Sequence, residues 1–294
     1  MRALASIFAV FAFMVGTHTA FAAQPTDWGL WYQPSGSEAM DQLDWFSAYT
    51  FWFITPITLF VLFLLLYVMI RFRKSANPTP SKTTHNTLVE VVWTVVPIII
   101  LIAIAIPSFQ LLDDQLAPEE EPTMTVKAIG VQWAWTYEYQ DDSEISFDSY
   151  MLKEDAREEA GKTDLAEYPR LLAVDNELVV PVDEMIRVLV TSDVDGVLHA
   201  WAMPAFGVKM DAVPGRLNET WFKAREEGLY YGQCSELCGK DHAFMPIAIR
   251  VVSKEQFEVW KSAAADDVEA ANEALMASIE AERNTELAQS QQTE

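Results

Sequence analysis

Cys234 and Cys238 are the only two cysteines in this chain of 294 residues, and they lie four residues apart. His242 follows four residues after the second cysteine, and Met245 follows three residues later, in the stretch YYGQCSELCGKDHAFM. Thiol, imidazole and thioether groups at such spacings can form a structural disulfide, a redox dithiol pair or a metal site. The choice among these depends on the compartment in which the segment lies.

The N-terminal third of the chain carries targeting and membrane signals. Arg2, an apolar run and the ending Ala20-Phe21-Ala22 are the parts of a secretory signal peptide, so we predict that residues 1–22 are cleaved rather than kept as an anchor helix. Two charge-free apolar stretches follow at 45–70 and 91–112, and each exceeds the roughly 20 residues that cross a bilayer. Residues 23–112 are therefore predicted to form an N-terminal segment and a two-helix transmembrane hairpin.

Basic residues predict how this hairpin is oriented. No Lys or Arg occurs from 24 to 70. The segment between the two spans contains four, namely Arg71, Arg73, Lys74 and Lys82. Because cytoplasmic loops carry the excess of positive charge, we expect the hairpin loop at 71–90 in the cytoplasm and both mature termini outside.

The exported part is strongly acidic. Residues 113–294 hold 15 Lys and Arg against 38 Asp and Glu, which accounts for the formal net charge of −23 of the whole chain. A nucleic-acid partner is disfavoured, because phosphate contacts require the opposite sign. The acidity either serves solubility alone or steers a basic partner, and steering weakens with salt.

The segments after residue 120 are mostly predicted strands. Residue types typical of strands occur at 123–131, 134–139, 177–192, 219–224 and 246–252. Short strands without long helices between them favour an antiparallel sandwich or barrel. An acidic insert at 141–170 interrupts them, a helical pattern runs from Lys254 to about Arg283, and the last residues are predicted to be disordered.

The cysteine pair could form a disulfide, a redox pair, a zinc site or a copper site. A disulfide would close a short loop and leave His199, His242 and Met245 without a role. A redox pair uses C-x-x-C spacing before a helix, which this segment lacks. Two Cys and two His suit zinc, whereas thiolate, imidazole and thioether together suit copper. We favour copper from the chemistry alone, with zinc and a disulfide left open. Two thiolates can also bridge a pair of copper ions.

Three stretches carry a resemblance to a known family. GLYYGQCSELCGKDHAFMPI, VLHAWAMPAFGVKMDAVPGRLNET and VQWAWTYEY, behind a two-helix hairpin, resemble subunit II of haem–copper cytochrome c oxidases, most closely the bacterial forms with a cleaved signal peptide. The resemblance covers about residues 28–260. It implies a membrane-anchored all-β protein with a cupredoxin-like β-sandwich at 113–260 and a helical or disordered acidic tail at 261–294. It also implies an inner-membrane location with the copper domain in the periplasm.

The resemblance also implies the site residues. The dinuclear copper ligands would be His199, Cys234, the backbone carbonyl of Glu236, Cys238, His242 and Met245. The Glu236 side chain would bind a magnesium or manganese ion shared with subunit I, unless it is merely a solvated carboxylate. Trp133 would be the exposed indole that receives electrons from cytochrome c. Glu90 would lie at the mouth of a proton-uptake pathway, although a carboxylate in the first turn of a helix is also favoured by the dipole alone.

Two departures from the family pattern affect the region around the site. Val131 and Ala134 stand where the family usually reads His and Tyr beside the tryptophan, and Gly196 stands where many members have Asp. The stretch from Arg187 to His199 also has about two additional residues. Val131 and Ala134 change the surroundings of the expected entry point at Trp133. The longer stretch with Gly196 leaves the individual docking acids unassigned, although Asp193 and Asp195 keep the region acidic.

The implied function is that of the electron-accepting subunit of a proton-pumping cytochrome c oxidase, an enzyme complex whose oxygen chemistry lies on subunit I. Cytochrome c would dock on the acidic face. A membrane-tethered copper chaperone is the alternative from another class, but such proteins normally have one anchor and place the histidine after the cysteines. The quinol oxidase branch lacks the copper ligands, and nitrous oxide reductase lacks the membrane hairpin.

Overall fold

The computed structural model describes residues 21–117 and 120–292. The chain divides into two compact units, one of residues 41–119 and one of the residues from 120 onward together with those before 41. Residues 1–20, most of the predicted signal peptide, lie outside the described residues. Its last two residues belong to a short strand, Phe21–Ala23.

The first unit contains two long apolar helices. Helix α1 spans Glu38–Arg71 and helix α2 spans Thr87–Leu116, so both extend beyond the predicted spans at 45–70 and 91–112. The most apolar window of each helix has no buried residue, and large side chains such as Phe63 and Ile99 are exposed. Because apolar surface is costly to leave in water, the two helices are suited to a bilayer, as predicted. The Tyr49 hydroxyl donates a 3.1 Å hydrogen bond to the Ala103 carbonyl.

The second unit is a β-sandwich. Its strands are β1 Phe21–Ala23, β2 Met124–Val131, β3 Ala134–Tyr139, β4 Ser146–Ser149, β5 Leu178–Pro181, β6 Met185–Ser192, β7 His199–Met203, β8 Val208–Ala212, β9 Asn218–Lys223, β10 Gly228–Gln233 and β11 Pro246–Val252. They form one sheet in the order β1-β10-β11-β5, a second in the order β4-β3-β2-β6-β9, and the pair β7-β8. This arrangement confirms the predicted sandwich.

Several details of the sandwich differ from the sequence prediction. The pairs β1–β10, β5–β11 and β2–β6 are parallel, so the prediction of an antiparallel sandwich was wrong for these pairs. The single strand predicted at 177–192 is two strands in different sheets, β5 and β6. They are separated by a turn in which Asp183 has a φ of 56°. Strands β4, β8 and β10 were not predicted. The segments SFDS of β4 and GLYYGQ of β10 do not alternate clearly between apolar and polar residues, whereas VKMDA of β8 does alternate, over five residues only.

Large aromatic side chains fill the space between the sheets. Trp135, Tyr137, Trp201 and Phe206 are fully buried. The Trp201 indole nitrogen donates to the Tyr137 hydroxyl over 3.3 Å, so these two polar atoms are paired inside the core. Burying one large apolar side chain stabilises a fold by about 1.5–3 kcal/mol. Because several such side chains are buried together, the core is stable enough to support the loops at its rim.

Two C-terminal helices pack against the sandwich. Helix α3 spans Lys254–Ala264 and begins with a capping box between Ser253 and Gln256, and helix α4 spans Val268–Gln292. The Trp260 indole N–H donates a 2.8 Å hydrogen bond to the Asn272 side chain, and this bond joins the two helices. The predicted disorder after about Arg283 was wrong for the residues up to Gln292, because the Ala-, Glu- and Gln-rich sequence favours a helix and the start of α4 is docked on the core.

The acidic insert covers the outer face of strands β10 and β11. It contains strand β4 and a short 3-10 turn, and its Tyr168 packs in a second apolar cluster with Tyr231. Lys162 forms a buried 2.9 Å ion pair with Glu177, which also pairs with Arg250 of β11. Buried ion pairs hold the insert against the strand that follows the cysteine loop.

Candidate metal centre

The two cysteines lie on a loop whose two ends are joined by the paired strands β10 and β11. Strand β10 leads into Cys234, the loop returns at Met245, and β11 begins at the next residue. The Cys234 backbone N–H donates a 3.0 Å hydrogen bond to the Met245 carbonyl. This bond lies directly beyond the pairing of Gln233 with Pro246. The first and last residues that the sequence singled out are therefore held next to each other by strand pairing.

A third segment brings His199 to the same loop. His199 is the first residue of β7 and is fully buried. The Ser235 backbone N–H donates a 3.0 Å hydrogen bond to the Ala200 carbonyl, and this bond attaches the loop to β7. Residues 35 positions apart in the chain thus meet at one rim of the sandwich, as the sequence required of any shared metal site.

The donor atoms lie at distances typical of ligands around a shared metal. The Cys234 and Cys238 sulfurs are 3.8 Å apart, His199 Nδ1 is 3.8 Å from Cys234 Sγ, and His242 Nδ1 is 3.6 Å from Cys238 Sγ. Two ligands on one tetrahedral ion, with bonds of about 2.0–2.3 Å, lie about 3.5 Å apart. Both thiols are free, and a disulfide needs a separation of about 2.05 Å.

Two further candidate donors lie on the same loop. The Glu236 carbonyl oxygen lies 3.4 Å from Cys234 Sγ, and the Met245 side chain is buried at the end of the loop. Two thiols, two imidazoles, a thioether and a carbonyl form a predominantly soft donor set. This set fits copper, whereas magnesium or calcium would require oxygen ligands throughout.

The protonation of the site is controlled by burial. Burial, followed by the neighbouring His242, lowers the pKa of His199, which favours the neutral imidazole that metals bind. Burial, followed by the neighbouring Cys234, raises the pKa of the Cys238 thiol. A metal that binds these sulfurs therefore displaces protons from them.

Trp133 is in direct contact with the cysteine loop. Its Nε1 donates a 3.0 Å hydrogen bond to the Cys238 carbonyl, and the Lys240 ammonium lies 5.3 Å from its ring centroid. Gly239 has a φ of 124°, and a Cβ there would be 2.9 Å from the indole, so glycine makes this close packing feasible. The indole ring is half-buried rather than fully exposed, because it packs on this loop.

The remaining predicted residues have exposed or helix-capping carboxylates. The Glu236 side chain is exposed, as are Asp193 and Asp195 in the turn before His199. Glu90 lies in the first turn of α2, where its carboxylate accepts a 3.3 Å hydrogen bond from the Asn86 backbone N–H, so it caps that helix. The sequence analysis did not identify Gly239 as important. The only indication in the sequence was its position directly after the second cysteine.

An apolar two-helix anchor followed by a β-sandwich with a rim of two cysteines, two histidines and a methionine defines a membrane-anchored copper protein of the cupredoxin type. The family model "Cytochrome C oxidase subunit II, periplasmic domain" matches residues 124–252, and the corresponding transmembrane-domain model matches residues 25–111. The chain belongs to the cytochrome c oxidase subunit II family.

Two relatives agree with this assignment. The chain is 45% identical over 249 residues to cytochrome c oxidase subunit 2 of Cereibacter sphaeroides, covering 81% of this chain and 80% of that protein. It is 45% identical over 253 residues to a probable cytochrome c oxidase subunit 2 of Rickettsia felis, covering 86% and 77%. A crystal structure of the periplasmic domain of subunit II of the cytochrome oxidase of Bradyrhizobium japonicum is 56% identical, with a TM-score of 0.43, covering 49% of this chain and 95% of that one.

Family membership confirms the general function expected from the resemblance. The β-sandwich is the copper A domain of this family, which accepts electrons, and the chain is a subunit of an oxidoreductase complex anchored in a membrane.

Proposed function

We propose that six residues of the sandwich rim hold the copper pair: His199, Cys234, Glu236 through its carbonyl, Cys238, His242 and Met245. The observation that carries this proposal is the convergence of the two sulfurs and two Nδ1 atoms, with neighbouring donors 3.6–3.8 Å apart. The two cysteine thiolates would hold the copper pair together, which would explain why two cysteines are present where a single copper ion needs one.

The chain's own contribution is to hold these donors in place. When bound, the copper pair supplies a one-electron acceptor. Strands β10 and β11 fix the two ends of the loop, and the Ser235–Ala200 hydrogen bond fixes His199 relative to it. Such a rigid arrangement changes little between oxidation states, and a small rearrangement favours rapid electron transfer.

We propose that Trp133 is the side chain at which electrons arrive. Its hydrogen bond to the Cys238 carbonyl connects the indole to a ligand residue through one contact of 3.0 Å. The half-buried ring keeps part of its surface accessible to a partner. The donor is cytochrome c, whose basic surface complements the acidic sandwich and the exposed Asp193 and Asp195.

The proposed partner on the other side is subunit I, which carries the haem groups and the oxygen chemistry. The apolar helices α1 and α2 provide the surface on which such a partner assembles in the membrane. The positive charge of the loop at 71–90 supports its location in the cytoplasm, and the copper domain and both mature termini then lie in the periplasm.

Two further roles are proposed for carboxylates. The exposed Glu236 side chain is available to a magnesium or manganese ion shared with subunit I, because a hard cation prefers a carboxylate to the nearby sulfurs. Glu90 is proposed to lie at the mouth of a proton-uptake pathway. Its helix-capping contact with Asn86 leaves its second oxygen for this purpose.

Copper loading of the detergent-solubilised full chain tests the ligand assignment. We expect two copper ions per chain and a purple colour after reconstitution of the metal-free protein. A single copper ion per chain, or a colourless zinc form under the same conditions, would rule out the dinuclear assignment. Purification from native membranes tests the assembly: the subunit should elute with a haem-containing multispanning partner, whereas a copper chaperone would elute alone.

A further inference from the structure

Gly130 lies where a side chain would occupy the space of a proposed copper ligand. It is a core-facing residue of β2, the middle strand of its sheet, and is paired with Trp135 of β3 and Ser192 of β6. A Cβ atom on Gly130 would lie 2.7 Å from Cδ2, 2.9 Å from Cγ and 3.0 Å from Cβ of His199. Carbon atoms in van der Waals contact are about 3.5–4.0 Å apart, so even a methyl group does not fit.

The backbone conformation does not explain this glycine. Five described glycines have a positive φ, among them Gly207 and Gly239, and Gly130 is not one of them. Gly130 is paired with a neighbouring strand on both sides, in a strand conformation that any residue can adopt. Glycine also weakens a strand, because it loses more backbone entropy and packs no side chain. The close approach of His199 is the steric feature that requires glycine here.

The strand cannot retreat from the imidazole. The Gly130 carbonyl accepts a 3.1 Å hydrogen bond from the Ser192 hydroxyl and another of 3.1 Å from the Asp193 backbone N–H. Together with the two ladders of β2, these contacts hold the backbone in place. A methyl group on Gly130 would therefore displace the ring rather than the strand.

The imidazole, in turn, has little freedom on its own strand. His199 is fully buried, and the Trp135 ring lies edge-on to it at a centroid distance of 6.0 Å. Strand β7 is also pressed onto β10, because a Cβ on Gly232 would be 1.9 Å from the Ala202 carbonyl oxygen. A ring pushed away from Gly130 must turn or shift within this enclosure, and that changes the position of Nδ1 relative to the Cys234 sulfur.

We propose that Gly130 is a positioning residue of the copper centre: the absence of a side chain there sets the place of His199 Nδ1. This inference rests on the proposed assignment of His199 as a ligand. Gly130 does not touch the metal, and it acts through the imidazole alone. The packing contact is between protein atoms alone, so it can be measured without copper.

A double-mutant cycle isolates the contact. The four proteins are the wild type, Gly130→Ala, His199→Ala and the double variant, each as the full chain in detergent and free of copper. Overpacking of this kind should lower the thermal midpoint of Gly130→Ala by on the order of 5 °C relative to wild type. In the His199→Ala background the same methyl group enters the vacated space, so the midpoint should not fall.

Copper spectroscopy then connects the contact to the site. Gly130→Ala should bind copper with an altered visible and electron paramagnetic resonance spectrum, or should lose copper, whereas a purely structural effect would leave the spectrum unchanged. Equal losses of thermal midpoint in both backgrounds, or a wild-type copper spectrum in Gly130→Ala, would overturn the proposal. If Gly130→Ala does not fold, folding of the double variant supports the proposal and its failure overturns it. Absence of copper binding by the wild type contradicts the ligand assignment, whereas the copper-free cycle still reports on the packing contact.

Discussion

The indole nitrogen of Trp133 donates a 3.0 Å hydrogen bond to the carbonyl oxygen of Cys238. A surface-facing aromatic ring is thereby joined to a residue whose sulfur lies inside the site. The contact spans 105 positions of the chain, and it depends on Gly239, which lets the ring lie on the loop backbone. It joins a partly exposed ring to the loop that carries both cysteines.

Replacement of Trp133 by Phe should slow electron uptake without removing copper. Phe keeps an aromatic ring but lacks the N–H group, so the link to the Cys238 carbonyl is lost. We expect the turnover of cytochrome c oxidation by the assembled oxidase to fall by about tenfold or more, which corresponds to about 1.4 kcal/mol or more. Trp221→Phe on β9 is the matched control and should change turnover little. An unchanged rate in Trp133→Phe would contradict the role of this side chain.

Replacement of Cys238 by Ser should destroy the copper pair. The variant leaves one sulfur where the structure has two at 3.8 Å, so no second bridge remains between two ions. Metal analysis should give no more than one copper ion per chain, and the purple colour should disappear. Ser235→Ala changes an exposed side chain in the same loop and should retain two ions. Retention of both ions and colour by Cys238→Ser would refute the bridging assignment.

Replacement of Glu236 by Gln should separate the two roles proposed for this residue. The backbone carbonyl is unchanged, so copper content and colour should be preserved. The side chain loses its charge, so the hard cation proposed at the interface with subunit I should bind less tightly. Manganese content of the assembled oxidase, grown with manganese and measured by electron paramagnetic resonance, should decrease. Equal manganese in variant and wild type would exclude this carboxylate as a ligand.

The buried Glu177 should make the copper-free protein sensitive to acid. Burial by itself raises the pKa of this carboxyl group, but the neighbouring Arg250 and Lys162 outweigh burial and lower the pKa to about 2. The folded pKa thus lies below the ordinary value of 4.5, so the unfolded chain binds the proton first as the pH falls. The stabilising contribution is complete above about pH 5 and is lost as the pH falls toward about 2.

Glu177→Gln provides the measurement of this effect. The substitution leaves Arg250 and Lys162 buried without their carboxylate, so we expect a loss of about 3–5 kcal/mol in the free energy of unfolding at pH 7. The variant should also show a weaker pH dependence of stability between pH 5 and 2. Glu219→Gln, which breaks the surface pair with Arg187, should cost at most about 1 kcal/mol. Similar losses for the two variants would contradict the importance of burial.

Cytochrome c oxidation should depend strongly on ionic strength. The acidic part of the chain carries the whole formal net charge of −23, and the exposed Asp193 and Asp195 lie in the turn before His199. Because the Debye length shortens from about 30 Å at 0.01 M salt to about 8 Å at 0.15 M, steering of a basic donor weakens over this range. The second-order rate constant should therefore decrease with added salt. A flat salt response would show that the acidic surface does not steer the donor.

The local chemistry of this protein could be predicted from the sequence alone. The apolar lengths and the basic loop determine a two-helix anchor, because membrane crossing depends on composition and length rather than on tertiary contacts. The spacing of Cys234, Cys238, His242 and Met245 places four donors on one short loop, which limits the metals that can bind. The strands with clear residue preferences, such as 134–139 and 246–252, were predicted with the bounds that the structure shows.

Only the tertiary structure shows how residues far apart in the chain come together at the candidate site. His199 reaches Cys234 because β7 lies on β10, and the Trp133 ring reaches Cys238 because the turn between β2 and β3 lies beside the cysteine loop. The parallel pairs, the split of 177–192 into two strands and the docked C-terminal helix also follow from packing between segments far apart in sequence. Residue periodicity reports which face of a segment is buried, but it carries no information about the segment that buries it. For the same reason Gly130 appears in the sequence as an ordinary glycine, and only the position of His199 explains it.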